Sequence, residues 1–200
     1  MDSLEAANRA LFLVINGTPH SPGWLVALAH ICAKELIAVI ALLFIALWLT
    51  GREQARATVL RACLVAVLAL CANLVIRLMW PHPRPFMIGL GYLLFPHSPG
   101  PSFPSDHAAF CTAVALTLLA GGLRWSGAVA LLVDLAVIWA RVFAGMHFPL
   151  DMLGAVLVAV LVYAAVVPLW QWRGRAITQA AVTLYRRWFA LPIRLNWLRS

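Results

Sequence analysis

Five stretches of the chain, residues 32–50, 58–79, 107–122, 125–143 and 151–170, are almost continuously apolar and come close to the length that crosses a bilayer. A hydrocarbon core about 30 Å thick takes roughly 20 apolar residues in a helix, so each stretch predicts a transmembrane helix. Composition points the same way: 64% of the 200 residues are hydrophobic and 11% are charged, where soluble domains carry about 25% charged residues. A soluble globular enzyme is excluded. Before residue 171 there is no internal repeat, low-complexity tract or linker, which predicts one all-α, polytopic membrane bundle over residues 1–170.

Ahead of the first span, Asp2 and Glu5 have capping-box spacing, and Leu4, Ala7, Leu11 and Ile15 recur at helical intervals. The run stops near Asn16-Gly17 and Pro19, too short to span, and so predicts an interfacial N-terminal helix, with Pro22-Gly23-Trp24 beside it at the membrane surface. The alternative makes residues 4–31 a sixth span. The first residues lack a basic n-region, so no cleaved signal peptide is expected. Cys32, Cys63, Cys71 and Cys111 lie in apolar stretches without CxxC spacing and read as packing residues.

Fifteen Lys and Arg against seven Asp and Glu give a net +8, but the basic residues flank apolar runs and gather in the tail. Membrane orientation, not nucleic acid, accounts for them. Arg52, Arg56, Arg61 and Arg124, with Arg173, Arg175, Arg186, Arg187, Arg194 and Arg199 of the tail, fall on one side of a five-span bundle. Positively charged loops stay in the cytoplasm, which puts segment 80–106, connection 144–150 and the N-terminus outside. Residues 171–200 carry no acid and interleave arginines with Trp172, Tyr185, Trp188, Phe189 and Trp197. They predict a basic cytoplasmic tail, an amphipathic helix on an anionic membrane surface.

Chemistry collects on the outer side. Arg77 ends the second span, and Trp80-Pro81-His82-Pro83-Arg84-Pro85 then breaks the helix, because proline lacks an N–H and restricts the residue before it. Phe103-Pro104-Ser105-Asp106-His107 leads into the third span, with Ser105 placed to cap it. A capped helix N-terminus is an anion site, and His107 in its first turn would meet a phosphate held there. Arg141 ends the fourth span, and Met146-His147-Phe148-Pro149-Leu150-Asp151 opens the fifth. Four residues apart, Asp151 can reach His147, and a carboxylate on one ring nitrogen fixes the tautomer and leaves the other a better nucleophile.

Each of these residues alone is weak evidence. Arginines at span ends are usually snorkelling anchors, and histidines near helix ends usually caps; His20, His30, His82 and His97 are read that way. Together, three arginines, two histidines and an aspartate on one membrane face describe a site for a phosphate ester. Asp134, seven residues before Arg141, reads as a structural polar contact with Asn73 as a partner at similar depth. Glu35, at the outer end of the first span, either lines the site or anchors the helix. The acids are too few and scattered for a magnesium cage, so neither metal nor cofactor is expected.

These residues resemble the phosphatidic acid phosphatase type 2 superfamily, whose motifs read KxxxxxxRP, PSGH and SRxxxxxHxxxD. They stand here as Arg77 through Arg84-Pro85, Pro104-Ser105-Asp106-His107, and Ala140-Arg141 through His147 to Asp151, with every spacing kept. Arg77 replaces Lys, Asp106 replaces Gly and Ala140 replaces Ser. Within the superfamily the chain is most similar to bacterial undecaprenyl-diphosphatases of the bacitracin-resistance type, through Ile15-Asn16-Gly17-Thr18-Pro19, Ala33-Lys34-Glu35-Leu36-Ile37, Ser102-Phe103-Pro104-Ser105-Asp106-His107 and His147-Phe148-Pro149-Leu150-Asp151-Met152-Leu153-Gly154. In that subfamily Asp106 is an expected variation.

The resemblance implies a metal-independent hydrolase of the bacterial inner membrane with its site facing the periplasm or cell exterior. It would convert undecaprenyl diphosphate to undecaprenyl phosphate and inorganic phosphate, recycling a carrier lipid of cell-wall synthesis. It implies His147 as the nucleophile that becomes phosphohistidine, Asp151 as its orienting carboxylate, and His107 as proton donor to the leaving lipid phosphate. Arg77, Arg84, Ser105, Asp106 and Arg141 would form the phosphate-binding set. The alternatives are a broader lipid phosphatase or phosphotransferase acting on phosphatidylglycerophosphate, phosphatidate or lipid A, and a non-catalytic lipid carrier.

Overall fold

A computed structural model describes residues 3–190, all-helical with no strand among them. Its helices are α1 (Ser3–Ile15), α2 (Gly23–His30), α3 (Ile37–Thr50), α4 (Glu53–Met79), α5 (Asp106–Ala120), α6 (Arg124–Phe143) and α7 (Pro149–Trp188). A π-helical turn, Ile31–Glu35, joins α2 to α3, and a 3₁₀ turn, Pro85–Ile88, lies in the loop after α4.

Helix α5 is the centre of the bundle, packed against α4, α6 and α7. Its sequence explains the position: Ala108, Ala109, Ala113 and Ala115 are buried, so backbones approach closely from several sides. Lipid tails are as apolar as leucine, so close van der Waals packing of small residues, not hydrophobic transfer, holds such helices together. Helix α4 presents Ala62, Ala66 and Ala69 inward, and α7 presents Met152, Ala155 and Ala159. The opposite faces, with Leu74 and Leu78 on α4 and Leu153, Leu157 and Leu161 on α7, are exposed as lipid-facing residues should be.

Among the described residues three helices are individually long and apolar enough to cross a membrane, namely α4, α6 and α7, and α2 with α3 would make a fourth span bent by 46°. The expected third span is the 15-residue α5, about 22 Å long at 1.5 Å per residue and shorter than the hydrocarbon core. Two boundaries differ from the sequence reading. Residues 4–31 are not one span, because the turn at Asn16-Gly17 separates α1 from α2. Instead Gly23-Trp24 begins the helix that the π turn carries into α3. Helix α7 also runs on past residue 170 through Pro168 to Trp188, about 60 Å in all. Gly174, Thr178, Val182 and Tyr185 keep one face of that extension buried, and Tyr185 stacks on the Arg56 guanidinium, 4.6 Å from its ring centre. The other capping-box residue, Asp2, and the tail residues Arg194, Trp197 and Arg199 lie outside the described residues; Glu5 bonds Arg9 at 2.7 Å.

Asn16 ties the short N-terminal helix to the functional end. Its amide donates to the carbonyls of Tyr92 (3.0 Å) and Phe143 (2.9 Å) and accepts from the Tyr92 N–H (2.7 Å). Gly17 N donates to the Phe143 carbonyl as well. This clamp joins the end of α1, the loop after α4 and the end of α6. Gly145, with φ +79°, then turns the chain into Met146-His147; a side chain there would adopt a left-handed conformation and run into the Tyr92 carbonyl.

Candidate active site

Helix α7 begins at Pro149, whose fixed φ suits a first helical position and whose missing N–H costs nothing there. That start makes Asp151 the third helical residue, able to fold back on the residues before the helix. Its carboxylate accepts the Phe148 N–H at 2.7 Å and the Ser102 hydroxyl, and lies 3.3 Å from His147 Nδ1. On the other side of the ring, Arg84 Nη1 donates to His147 Nε2 at 3.0 Å. An imidazole with an arginine donor on Nε2 and a carboxylate on Nδ1 is neutral, with its proton on Nδ1. Burial, the largest cause, holds His147 below the ordinary histidine value; Asp151 opposes this, and Arg84 and Arg141 reinforce it.

Arg84 is pinned by its other contacts, donating to the carbonyls of Met146 (3.0 Å) and Pro101 (3.4 Å). Arg141, 4% exposed, donates to the Ala33 carbonyl at 3.1 Å. The π turn presents that carbonyl, and such one-turn widenings recur at functional sites. Both guanidinium groups keep a buried Nε without a partner among the described residues. Buried donors in a folded protein are ordinarily paired, so two spare cationic donors near His147 make a site for an anion.

Arg77, at the end of α4, forms a 2.5 Å ion pair with Asp106, whose second oxygen accepts from Asn73 at 3.1 Å. A carboxylate offers acceptors only, so Asp106 acts on an anion through Arg77, which it aims. Ser105 caps α5 by accepting from Ala108 N at 3.5 Å, and Ser105 N donates to the Asp151 carbonyl at 3.3 Å. His107, one residue into α5, feels the charges of Arg141, His147, Asp106 and His97. The structure thus brings Arg77, Arg84, Ser105, Asp106, His107, Arg141, His147 and Asp151 to one end of the bundle.

Other residues fall differently from the sequence reading. Asn73 does not partner Asp134; it holds Asp106, and Asp134 accepts from Thr112 at 2.7 Å within the bundle. Glu35 is exposed, and the backbone carbonyl of Ala33 is what its turn contributes to Arg141. Ser102 was not singled out, yet its hydroxyl bonds Asp151 and sits 3.4 Å from His147 Nδ1. Its only sequence signal is its place just ahead of Phe103-Pro104-Ser105, which says nothing of a partner 49 residues away. His97, read as a capping or interfacial histidine, lines a cavity with Arg77 and Arg84: burial first, then Arg84, Arg141, His147 and Lys34, push its ring down to about 4.

Comparison with known proteins places this geometry in a family. The model of the PAP2 superfamily matches residues 58–175, a segment that holds all eight side chains gathered at this end of the bundle. YbjG of Escherichia coli (strain K12), which carries undecaprenyl-diphosphatase as a provisional name, is 37% identical over 197 residues, covering 98% of this chain and all of that one. The undecaprenyl-diphosphatase BcrC of Bacillus subtilis (strain 168) is 32% identical over 155 residues, 78% of this chain and 80% of its own. The crystal structure of a transmembrane PAP2-type phosphatidylglycerolphosphate phosphatase from Bacillus subtilis shares the fold, with a TM-score of 0.58 at 20% identity over 83% of this chain and 85% of that one. With an arginine-rich anion site built around a carboxylate-held histidine at one end of a membrane bundle, the chain belongs to the PAP2 superfamily of phosphatases.

Proposed function

We propose that this protein hydrolyses undecaprenyl diphosphate to undecaprenyl phosphate and inorganic phosphate, without a metal ion, through a phosphohistidine at His147. The observation that carries the reading is the line Arg84–His147–Asp151, in which Nε2 faces a guanidinium and Nδ1 faces a carboxylate. The names of the relatives YbjG and BcrC support the choice of lipid.

In the first step Nε2 attacks the terminal phosphorus, a nitrogen–phosphorus bond forms, and the bond from phosphorus to the bridging oxygen breaks. The lipid monophosphate leaves with that electron pair, and His107 supplies its proton. Asp151 stabilises the positive charge that grows on the imidazole, and Arg84 transfers its N–H from Nε2 to a phosphoryl oxygen. Arg141, with its unpaired Nε, and Arg77, held by Asp106, bind the remaining oxygens as charge spreads onto them. In the second step water, deprotonated by His107, attacks phosphorus and releases His147 with inorganic phosphate. Guanidinium groups supply the positive charge, and among the described residues no three His, Cys, Asp or Glu side chains converge as metal ligands would.

In this reading the chain has five spans, with α5 the short central one and α1 interfacial, and the positive-inside rule favours a site on the periplasmic or outer face of the bacterial inner membrane. Residues 1–170 carry the phosphatase unit in this reading, and residues 171–200 the basic cytoplasmic end, the first part of which continues α7 to Trp188. The test is phosphate release by purified protein in detergent with EDTA, comparing undecaprenyl diphosphate with phosphatidate. Turnover that favours the diphosphate is expected, together with a labelled phosphoenzyme trapped in wild type but not in His147→Ala. No turnover in EDTA would overturn metal independence, and preference for phosphatidate would overturn the lipid assignment.

A further inference from the structure

The cavity on the Nε2 side of His147 holds more cationic groups than one phosphate requires. About 400 Å³ in volume, it is lined by Arg77 and Arg84, by His97 and Ser98 of the loop before α5, and on its membrane side by Leu74 and Leu78. We propose that His97, together with Arg77, forms a second phosphate subsite that holds the lipid-linked phosphate of a diphosphate while the terminal phosphate lies over His147. The hydrocarbon chain leaves across Leu74 and Leu78 into the bilayer. This inference rests on the diphosphatase reading and names how that reading would be enforced.

Four observations carry it. Arg84 both donates to Nε2 and lines the cavity, so the cavity adjoins the guanidinium that faces the nucleophile. His97 is half-buried and makes an edge contact with Phe86, but no hydrogen bond among the described residues. The charged groups that act on it are the guanidinium groups of Arg84 and Arg141 and the ammonium of Lys34, all cationic. A ring so placed is complemented by an anion, which would favour its protonated, donating form. Finally, the cavity runs from polar to apolar, and Leu74 and Leu78 are 52% and 76% exposed on the lipid-facing side of α4. A second cavity, about 440 Å³, borders Asp151, Phe103 and Gly154. It lies behind the ring, on the Nδ1 side that Asp151 and Ser102 close, and so cannot admit the reacting phosphate.

Arg77 contributes because its ion pair with Asp106 engages one nitrogen of a guanidinium that carries five donors. The terminal phosphate would then take Arg84, Arg141, the start of α5 and one edge of Arg77, and the lipid-linked phosphate His97 and the donors of Arg77 that remain. A lipid monophosphate would use the first set alone.

The experiment measures binding of methylenediphosphonate, a diphosphate that cannot be cleaved at its bridge, and of orthophosphate to the purified full chain in detergent. Wild type should bind the diphosphonate more tightly. His97→Ala should weaken the diphosphonate about tenfold more than orthophosphate, equivalent to about 1.4 kcal/mol, and His97→Arg should recover most of that difference. His97→Gln, which preserves the size of the side chain without its charge, should show the same preferential loss if the alanine variant fails to fold. The ratio of KM values for farnesyl diphosphate and farnesyl monophosphate should shift in the same sense. Equal losses for both anions, or none, would overturn the subsite, as would wild type that does not prefer the diphosphonate. Wild type that binds the diphosphonate preferentially yet hydrolyses no lipid diphosphate would leave the subsite standing and refute the proposed function instead.

Discussion

Asp151→Asn tests the histidine's orientation most directly, because the structure shows what the carboxylate must satisfy. Three donors converge on it: the Phe148 N–H at 2.7 Å, the Ser102 hydroxyl, and His147 Nδ1 at 3.3 Å. All three fall on one oxygen, Oδ2, so an asparagine whose amide oxygen takes that place keeps the contacts and loses only the charge. The loss of negative charge removes a charge-assisted bond of about 1.5–3 kcal/mol from the imidazole as it becomes cationic. Felt wholly in the transition state, that loss lowers kcat/KM by about 10- to 150-fold.

The assay is initial-rate phosphate release in detergent, with a thermal melt of each variant to separate rate from folding. Ser102→Ala is the companion variant, since it removes one neutral donor and leaves Asp151 bonded to Phe148 and His147. Loss of one ordinary hydrogen bond, about 0.5–1.5 kcal/mol, predicts about 2- to 12-fold slower turnover. An Asp151→Asn protein that melts like wild type and turns over within twofold of it would refute the orienting role. A Ser102→Ala protein slower than Asp151→Asn would refute the ranking of the two contacts.

Arg141→Ala should bind vanadate, a five-coordinate mimic of the transferring phosphoryl group, much more weakly than wild type, and Arg141→Lys should keep part of the affinity; equal affinity of wild type and alanine variant would make Arg141 a helix anchor held to Ala33. Because burial holds free His147 below the ordinary histidine value of 6.5, the nucleophile stays neutral as pH falls through 6.5, and the acid limb of log kcat/KM against pH should have its midpoint below that value. A midpoint at or above 6.5 would contradict the buried, neutral imidazole. With native cysteines removed, a cysteine placed near His97 should react with an impermeant thiol reagent in spheroplasts and one near Arg175 should not; the reverse pattern would put the site in the cytoplasm.

Much of this protein is decided within short windows of its sequence. Bilayer thickness sets a length that residues 58–79 and 125–143 match, and α4 and α6 begin and end within a few residues of those limits. The His147–Asp151 contact was legible for the same reason: four residues and a proline at the helix start bring the two side chains together without help from elsewhere. The cap on α5 by Ser105 is equally local.

What depended on contacts across the chain was not legible, because no periodicity records which loop closes over which helix. Ser102 meets Asp151 only because α5 packs on α7, and Asn73 meets Asp106, not Asp134, because the top of α4 lies against the start of α5. The α7 extension looks like a detached basic tail by composition, yet Gly174, Thr178, Val182 and Tyr185 give it a face that packs. His97 is the clearest case. Nothing around it in sequence distinguishes it from a capping or interfacial histidine, and its place in one cavity with Arg77 and Arg84 is set by how the loop after α4 folds back. Helix length and capping are answered by neighbouring residues. The electrostatic surroundings of a side chain are set by whichever elements pack around it, and those are settled only when the bundle closes.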